Sequence, residues 1–118
     1  MAEVVVATRS GIHRFDTGSG DGDRGEELSG RPVDALARDG SGWWAVAGER
    51  GVVTSQAPGQ WDAVAHVPLA GTCLTPAPGG LLVGTEGASL FRFTGGGFEP
   101  VESFERVEGR DKWYTPWG

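Results

Sequence analysis

The residues best suited to bind a ligand fall in two places, short turns between apolar stretches and the C-terminal tail. The turns carry the charged side chains of Arg9, Glu49, Arg50 and Glu86. The tail, residues 108–118, carries Arg110, Trp113, Tyr114 and Trp117. Aromatic rings beside polar groups suit the recognition of sugars or peptides. We therefore predict binding at these residues, with the alternative that the charges keep the turns soluble and the rings pack.

Other chemistries find less support in the sequence. Cys73 is the single cysteine, so no internal disulfide can form, and its apolar surroundings predict a small buried side chain. No spacing places a histidine beside it as the partner of a nucleophile. The Asp-rich segment 16–25 lacks the twelfth-position glutamate of an EF-hand, which favours a solvated loop over a calcium site. We predict no catalytic residue, no metal and no cofactor.

Composition restricts the class of protein further. The 118 residues suit one domain, and the net charge of −6 comes without a basic stripe, so nucleic acid is not an expected partner. No apolar run reaches the length of a membrane span, and the N-terminus is unlike a signal peptide. The expected location is therefore the cytoplasm, away from any membrane. The 21 glycines fit many strands joined by tight turns.

The elements that would position these residues are three hairpins of similar sequence. The middle one covers residues 45–55, and the first covers residues 5–15 at an offset of forty. The third covers residues 82–93, at an offset of 37 to 38 from the middle one. A supersecondary unit that recurs at near-constant spacing indicates a repeat protein.

Further strands complete the units. Residues 33–38 and 72–77 predict inner strands, and residues 61–67 and 98–107 predict outer strands. The first unit has a short outer strand at 26–29 and no inner strand, and no helix of useful length is predicted. Four-stranded meanders of about forty residues are typical of β-propeller blades. We predict an all-β partial propeller with blades at about 3–30, 33–68 and 72–107, the first blade lacking its inner strand.

The turns carry a family resemblance. Residues 54–61, TSQAPGQW, fall in the frame of the Asp-box, S-x-D-x-G-x-T-W. Residues 14–19 keep the Asp and Gly of this box, and residues 92–98 keep a Gly and an aromatic residue. The chain resembles BNR/Asp-box propellers, which include sialidase-like and photosystem-assembly-factor-like proteins. The resemblance implies a non-catalytic scaffold or binding module whose hairpin tips share one face; the alternative is a fragment of a sialidase-like glycosidase, for which Tyr114 is the single tyrosine.

Three blades do not close a ring, because propellers typically contain four to eight. The missing blades would come from the remainder of a longer protein or from a second copy, a dimer then giving six blades. We expect Val6, Val46 and Val83 to occupy equivalent buried positions. Trp43, Trp44 and Trp61 should fill space between blades, with Trp61 on an outer strand beside the turn at 56–59.

Overall fold

The computed structural model of the chain describes residues 3–16 and 23–112, which form three antiparallel sheets. Blade 1 contains β1 (Glu3–Thr8), β2 (Gly11–Asp16) and β3 (Asp23–Glu27). Blade 2 contains β4 (Val33–Asp39), β5 (Gly42–Ala47), β6 (Gly51–Ala57) and β7 (Gln60–His66). Blade 3 contains β8 (Gly71–Ala77), β9 (Gly80–Thr85), β10 (Ser89–Phe93) and β11 (Phe98–Pro100). Each sheet is a meander, and the predicted all-β fold, with a first blade that lacks its inner strand, is confirmed.

The C-terminal part differs from the predicted strand over residues 98–107. Strand β11 ends at Pro100, and the chain then forms a short helix α1 (Glu102–Glu105) and a 3-10 turn (Arg110–Lys112). Pro100 has no amide hydrogen with which to extend the ladder. The carbonyl of Val101 instead accepts hydrogen bonds from the amides of Phe104 and Glu105, which starts the helical turn.

Blade 1 also differs from expectation at its outer strand. Strand β3 begins at Asp23, inside the segment predicted to be a loop, and ends at Glu27, two residues before the predicted end. Leu28 follows with φ at +53°, a left-handed conformation that turns the chain out of the sheet. The rest of the predicted Asp-rich loop, residues 17–22, lies outside the described residues.

The register of the hairpins corrects the expected equivalence of three valines. The pairs that close the hairpins are Thr8–Gly11, Ala47–Gly51 and Thr85–Ser89. Counting back from these pairs, Val6 is equivalent to Ala45 and Val83, not to Val46. A shift of one residue places a side chain on the opposite face of its sheet. The prediction that Val6, Val46 and Val83 are equivalent and all buried is therefore wrong, and Val6 is 41% exposed.

Two apolar cores hold the blades face to face. The first lies between blades 1 and 2 and is formed by Ile12, Val33, Ala45, Ala47 and Val53. The second lies between blades 2 and 3 and is formed by Val46, Val52, Val67, Leu81, Val83 and Phe91. We call the side of a blade that packs on the preceding blade its leading face, and the side that packs on the next blade its trailing face. Trp61 packs on the first core and Trp44 on the second, as expected for tryptophans between blades. Trp43, for which the same was expected, belongs to neither core, and Arg38 Cζ lies 5.7 Å from the centre of its ring.

The two outermost faces of the stack are open. On the leading face of blade 1, Val4 and Val6 are each 41% exposed and Phe15 is 36% exposed, with the His13 ring stacked 5.7 Å from that of Phe15. On the trailing face of blade 3, Cys73 is exposed, so the prediction of a buried thiol is wrong. The physical reason is shared: these positions lie where a neighbouring blade would pack, and none lies there among the described residues.

Candidate functional site

The hairpin tips and the segments between blades lie together at one end of the molecule, which we call the tip face. Connector 1 covers residues 28–32, connector 2 covers residues 67–70 and connector 3 covers residues 101–112. Backbone hydrogen bonds join each tip to a neighbouring connector or to the strand that follows it. They are Gly30 N to Ser10 O at 2.8 Å, Gly48 N to Pro32 O at 2.8 Å, Gly71 N to Glu49 O at 2.8 Å and Glu86 N to Ala70 O at 2.9 Å. This ladder fixes the tips of neighbouring blades relative to one another.

The tip face contains an acidic hollow of about 420 Å³, lined by Asp34, Glu49, Ala70, Gly71, Thr72 and Glu86. The tips bring Glu49 and Glu86 here, with Glu49 held at a φ of +71° in its three-residue turn. The carboxyl groups of Asp34, Glu49 and Glu86 belong to exposed residues, so the hollow is an open surface of negative charge. Such a surface favours a cationic or hydrogen-bond-donating ligand.

Asp34 is a lining residue that the sequence analysis missed. It is the second residue of its inner strand β4, and Thr72, at the equivalent place in β8, lines the same hollow. The predicted inner strands 33–38 and 72–77 pair Asp34 with Cys73 when aligned from their first residues. The observed register makes Asp34 equivalent to Thr72 instead, because Val33 pairs with Ala47 and Gly71 pairs with Thr85. What the sequence does not contain is the distance between the two strand starts, which depends on how blades 2 and 3 pack.

The three arginines that were predicted to bind a ligand make different contacts. Arg50 Nε donates to Val67 O at 3.0 Å, and this bond joins the tip of blade 2 to connector 2. Arg110 Nη1 donates to Ala88 O at 2.7 Å, and its Nη2 donates to Glu105 Oε2 at 2.9 Å. Both side chains thus hold connectors on tips. Arg9 is exposed on the first tip and does not line the hollow.

The aromatic residues predicted to bind a ligand, Trp113, Tyr114 and Trp117, lie outside the described residues. Their role stays a prediction. The same holds for the glycosidase alternative, because it needs a tyrosine beside two carboxyl groups, and Tyr114 is the single tyrosine of the sequence.

A buried polar network joins blades 1 and 2 away from the tip face. Arg14, which is almost fully buried, donates from Nε to Glu27 Oε2 at 2.6 Å and from Nη1 to Glu3 Oε1 at 3.2 Å. Trp61 Nε1 of blade 2 donates to Glu27 Oε1 at 2.8 Å. An adjoining hollow of about 380 Å³ is lined by Glu3, Arg14, Glu26, Glu27, Pro58 and Gly59.

The carboxyl group of Glu27 is tuned by this network. Burial raises the pKa of Glu27, and this is the largest single effect. The hydrogen bonds from Arg14, Trp61 and the Gly59 amide, together with the charge of Arg14, outweigh burial, so the pKa of Glu27 lies below its usual value. Glu27 is therefore ionised at neutral pH and balances the buried guanidinium of Arg14 within blade 1, while the hydrogen bond from Trp61 to Glu27 ties blade 2 to blade 1.

Across residues 3–16 and 23–112, no group of three or more His, Cys, Asp or Glu side chains is placed to hold a metal ion. Within the same ranges, no helix has the length and apolar character needed to cross a membrane.

The face-packed meanders and shared tip face define the chain as a β-propeller fold. The sequence matches no protein-family model and no curated protein. It is similar in structure to "YCF48 bound to D1 peptide", with a TM-score of 0.63 and 15% identity over 84% of this chain. The match spans 36% of that protein's chain, about a third of its length. At this identity the likeness concerns the fold, and the Asp-box resemblance stays a prediction.

Proposed function

We propose that the chain is a non-catalytic β-propeller module that binds a segment of another polypeptide on its tip face. The observation that carries this proposal is the convergence of Asp34, Glu49 and Glu86 in one open hollow. Support comes from the structural neighbour, a propeller whose structure holds a peptide. The negative hollow favours a peptide that carries lysine or arginine, because opposite charges attract across a partly wet surface.

Titration of the protein with two fluorescein-labelled peptides, one rich in lysine and one rich in glutamate, tests the proposal by fluorescence anisotropy. We expect the lysine peptide to bind and the glutamate peptide not to bind. The double variant Glu49→Gln/Glu86→Gln should weaken binding about tenfold, since each exposed ion pair contributes up to about 1 kcal/mol. Equal binding of both peptides, or no binding of the lysine peptide, would refute this site.

A charge-matched control separates a local site from general attraction by the net charge of −6. Glu99 on β11 and Glu102 on α1 are exposed acids that do not line the hollow. The variant Glu99→Gln/Glu102→Gln removes the same charge and should leave the affinity within about twofold, because distant exposed charges are screened by salt. An equal loss in both double variants would point to non-specific attraction.

We propose in addition that the module works in a ring completed by further blades, supplied by self-association or by missing blades. Support comes from the leading face of blade 1, where Val4, Val6 and Phe15 are exposed. Their equivalents in blade 3, Leu81, Val83 and Phe93, pack in or against the core shared with blade 2. Sedimentation at several concentrations tests self-association, and Val6→Lys should reduce it because a charge would then be buried.

A further inference from the structure

The last six residues of the sequence repeat part of the inner strand of blade 3. Residues 73–78, CLTPAP, align with residues 113–118, WYTPWG, at a spacing of forty. Both segments contain Thr-Pro after an apolar residue, Leu74 in one and Tyr114 in the other. Thr-Pro occurs at these two places only in the sequence. The alignment therefore predicts that residues 113–118 are an inner strand.

The route of the chain agrees with this assignment. Connectors 1 and 2 each contact the tip of the blade they leave, through Gly30 N to Ser10 O at 2.8 Å and Val67 N to Arg50 O at 3.0 Å. Each then enters the inner strand of the next blade. Connector 3 contacts the tip of blade 3 in the same way, through the bond from Arg110 Nη1 to Ala88 O at 2.7 Å. Residue 113 thus follows connector 3 as an inner strand follows connectors 1 and 2.

Among the described residues, no strand pairs with the inner edge of blade 1. The sheet of blade 1 runs β1-β2-β3, so β1 is an edge strand. The equivalent strands of the other blades, β5 and β9, each pair with an inner strand. The six residues of β1 are exposed or half-buried, whereas the equivalent strand β5 is buried at four of its six residues. An unpaired edge with apolar side chains is a place where another strand adds.

We propose that residues 113–118 of one chain form the inner strand of blade 1 in a second copy, and that the exchange is mutual. Two copies of three blades then close a ring of six. This inference rests on the ring completion proposed above and identifies the partner and the pairing segment. Blades 1 and 3 pack on opposite faces of blade 2, so the exchange is proposed between copies and not within one chain.

The second copy also offers the apolar face that blade 1 requires. The trailing face of blade 3 presents the half-buried Leu82 and Leu90. In register these residues are equivalent to Val5 and Ile12 of blade 1, which pack toward blade 2. The open leading face of blade 1 and the open trailing face of blade 3 are thus the two halves of one more junction between blades.

The repeat fixes the register of the new pair of strands. In blade 3, Leu74 pairs with Val83, Thr75 with Leu82 and Pro76 with Leu81. The equivalent pairs in the closed ring are Tyr114 with Val6, Thr115 with Val5 and Pro116 with Val4. Pro116 is compatible with this place, because an inner strand is the edge of its blade and β8 already contains Pro76.

Disulfide formation between two different full-length chains tests this register. Both chains carry Cys73→Ala, which removes the native thiol; one carries Val6→Cys and the other Tyr114→Cys. Opposed residues on neighbouring strands lie within the Cα distance that a disulfide spans. After mild oxidation of the mixture, we expect a covalent heterodimer on a non-reducing gel.

The matched control replaces Tyr114→Cys by Thr115→Cys, which places the thiol on the opposite face of the strand. We expect at least about tenfold less linked dimer from this pair, because a step of one residue reverses the side chain. Equal linking in both mixtures, or none in either, overturns the strand assignment. A single chain that carries both Val6→Cys and Tyr114→Cys and links within itself overturns the exchange between copies.

Sedimentation of the Cys73→Ala parent separates the two proposals. A dimer that fails to link through Val6 and Tyr114 retains ring completion by copies and overturns the role of residues 113–118. A monomer at every concentration overturns the exchange, and also self-association as the way in which the ring is completed. Binding of the lysine peptide is measured on the same sample, so the tip-face proposal stands or falls independently.

Discussion

Glu27 connects two blades through its two carboxylate oxygens, one facing Arg14 of its own blade and the other facing Trp61 of the next. Arg14 is buried, and its charge is balanced by Glu27 and by the more exposed Glu3. Removing one partner of a buried charge is costly, because the remaining charge has lost its compensation without returning to water. The junction of blades 1 and 2 therefore combines an apolar core with a polar network that includes one buried charge.

Glu27→Gln should lower the free energy of unfolding at pH 7 by about 2 kcal/mol, since the amide keeps the shape but loses the charge-assisted bonds. Urea denaturation measures the change. The control Glu99→Gln, at an exposed residue of β11, should change the free energy by less than about 0.5 kcal/mol. Equal effects at the two positions would show that the network does not stabilise the junction.

The difference in free energy of unfolding between wild type and Glu27→Gln should depend on pH, and the pKa of Glu27 fixes the direction of that dependence. The pKa of this group is lower in the folded state than its ordinary value of 4.5. Its contribution is therefore present above pH 4.5 and is lost as the pH falls through the lower folded-state pKa. The difference in free energy between wild type and Glu27→Gln should be constant from neutral pH to about 5 and shrink below it. An unchanged difference at pH 3 would contradict this.

Trp61 tests the other half of the contact. Trp61→Phe keeps an aromatic ring but removes the bond to Glu27 and should cost about 1 kcal/mol. Trp61→Ala also removes the ring from the first core and should cost about 3 kcal/mol. In a Glu27→Gln background the cost of Trp61→Phe should change, because residues in one network are coupled. A strictly additive result would mean that the two side chains act separately.

The sequence pointed to Trp61 through its place in the Asp-box frame, but not to its partner. Glu27 pairs with Ile12 in the register, and an irregularity between His13 and Phe15 displaces the rest of β3. Local spacing does not predict such a shift, so the contact between Arg14 and Glu27 could not be derived from the residues alone. The burial of Arg14 could not be derived from the sequence for the same reason.

At the scale of elements, the hairpins were predictable and their exact equivalence was not. Alternating apolar residues and glycine turns indicated all three hairpins. The tip of blade 1 contains two residues, 9–10, whereas the other tips contain three, at 48–50 and 86–88. Because of the extra tip residue, the first strands of blades 1 and 2 are offset by 39 residues and their second strands by 40. A single offset of forty therefore pairs Val6 with Val46, although Val6 is equivalent to Ala45. Helix α1 was missed because its four residues are too few for a periodic pattern.

Two valines at equivalent positions give a matched test of the blade faces. Val83→Thr places a hydroxyl in the second core and should lower the free energy of unfolding by about 2 kcal/mol. Val6→Thr, on the open leading face of blade 1, should change it by less than about 0.5 kcal/mol. Both are measured at a concentration where the protein sediments as a monomer. A large loss at Val6 in a monomer would mean that this face is covered within the chain.

At the scale of the whole molecule, the number of blades followed from the repeat, since each unit recurs at a near-constant spacing. The acidic hollow did not follow completely. Glu49 and Glu86 were expected on one face, and the structure adds Asp34 from an inner strand. The relative placement of the blades depends on packing between side chains far apart in sequence, and one chain's pattern of residues does not fix it.

The proposed closure of the ring by a second copy of the chain has a consequence for thermal unfolding. Ligands and partner subunits that bind the folded state raise the unfolding midpoint in proportion to the logarithm of their concentration. The midpoint of the full chain should therefore rise by a few degrees from micromolar to about 100 micromolar protein. A chain that ends after Lys112 should show one midpoint at all concentrations. Scanning calorimetry or fluorescence measures both, and identical behaviour of the two chains would contradict the exchange.

The alternation of tips and connectors has a consequence for engineering. Backbone bonds join the tip at 48–50 to Pro32 on one side and to Val67 and Gly71 on the other, so a residue inserted at 48–50 would displace its neighbours on both sides. At the other ends of the strands, the turns at 40–41 and 78–79 make no such bond to another blade among the described residues. Foreign loops are best grafted at those turns, where the chain can lengthen while the register of the blades is retained.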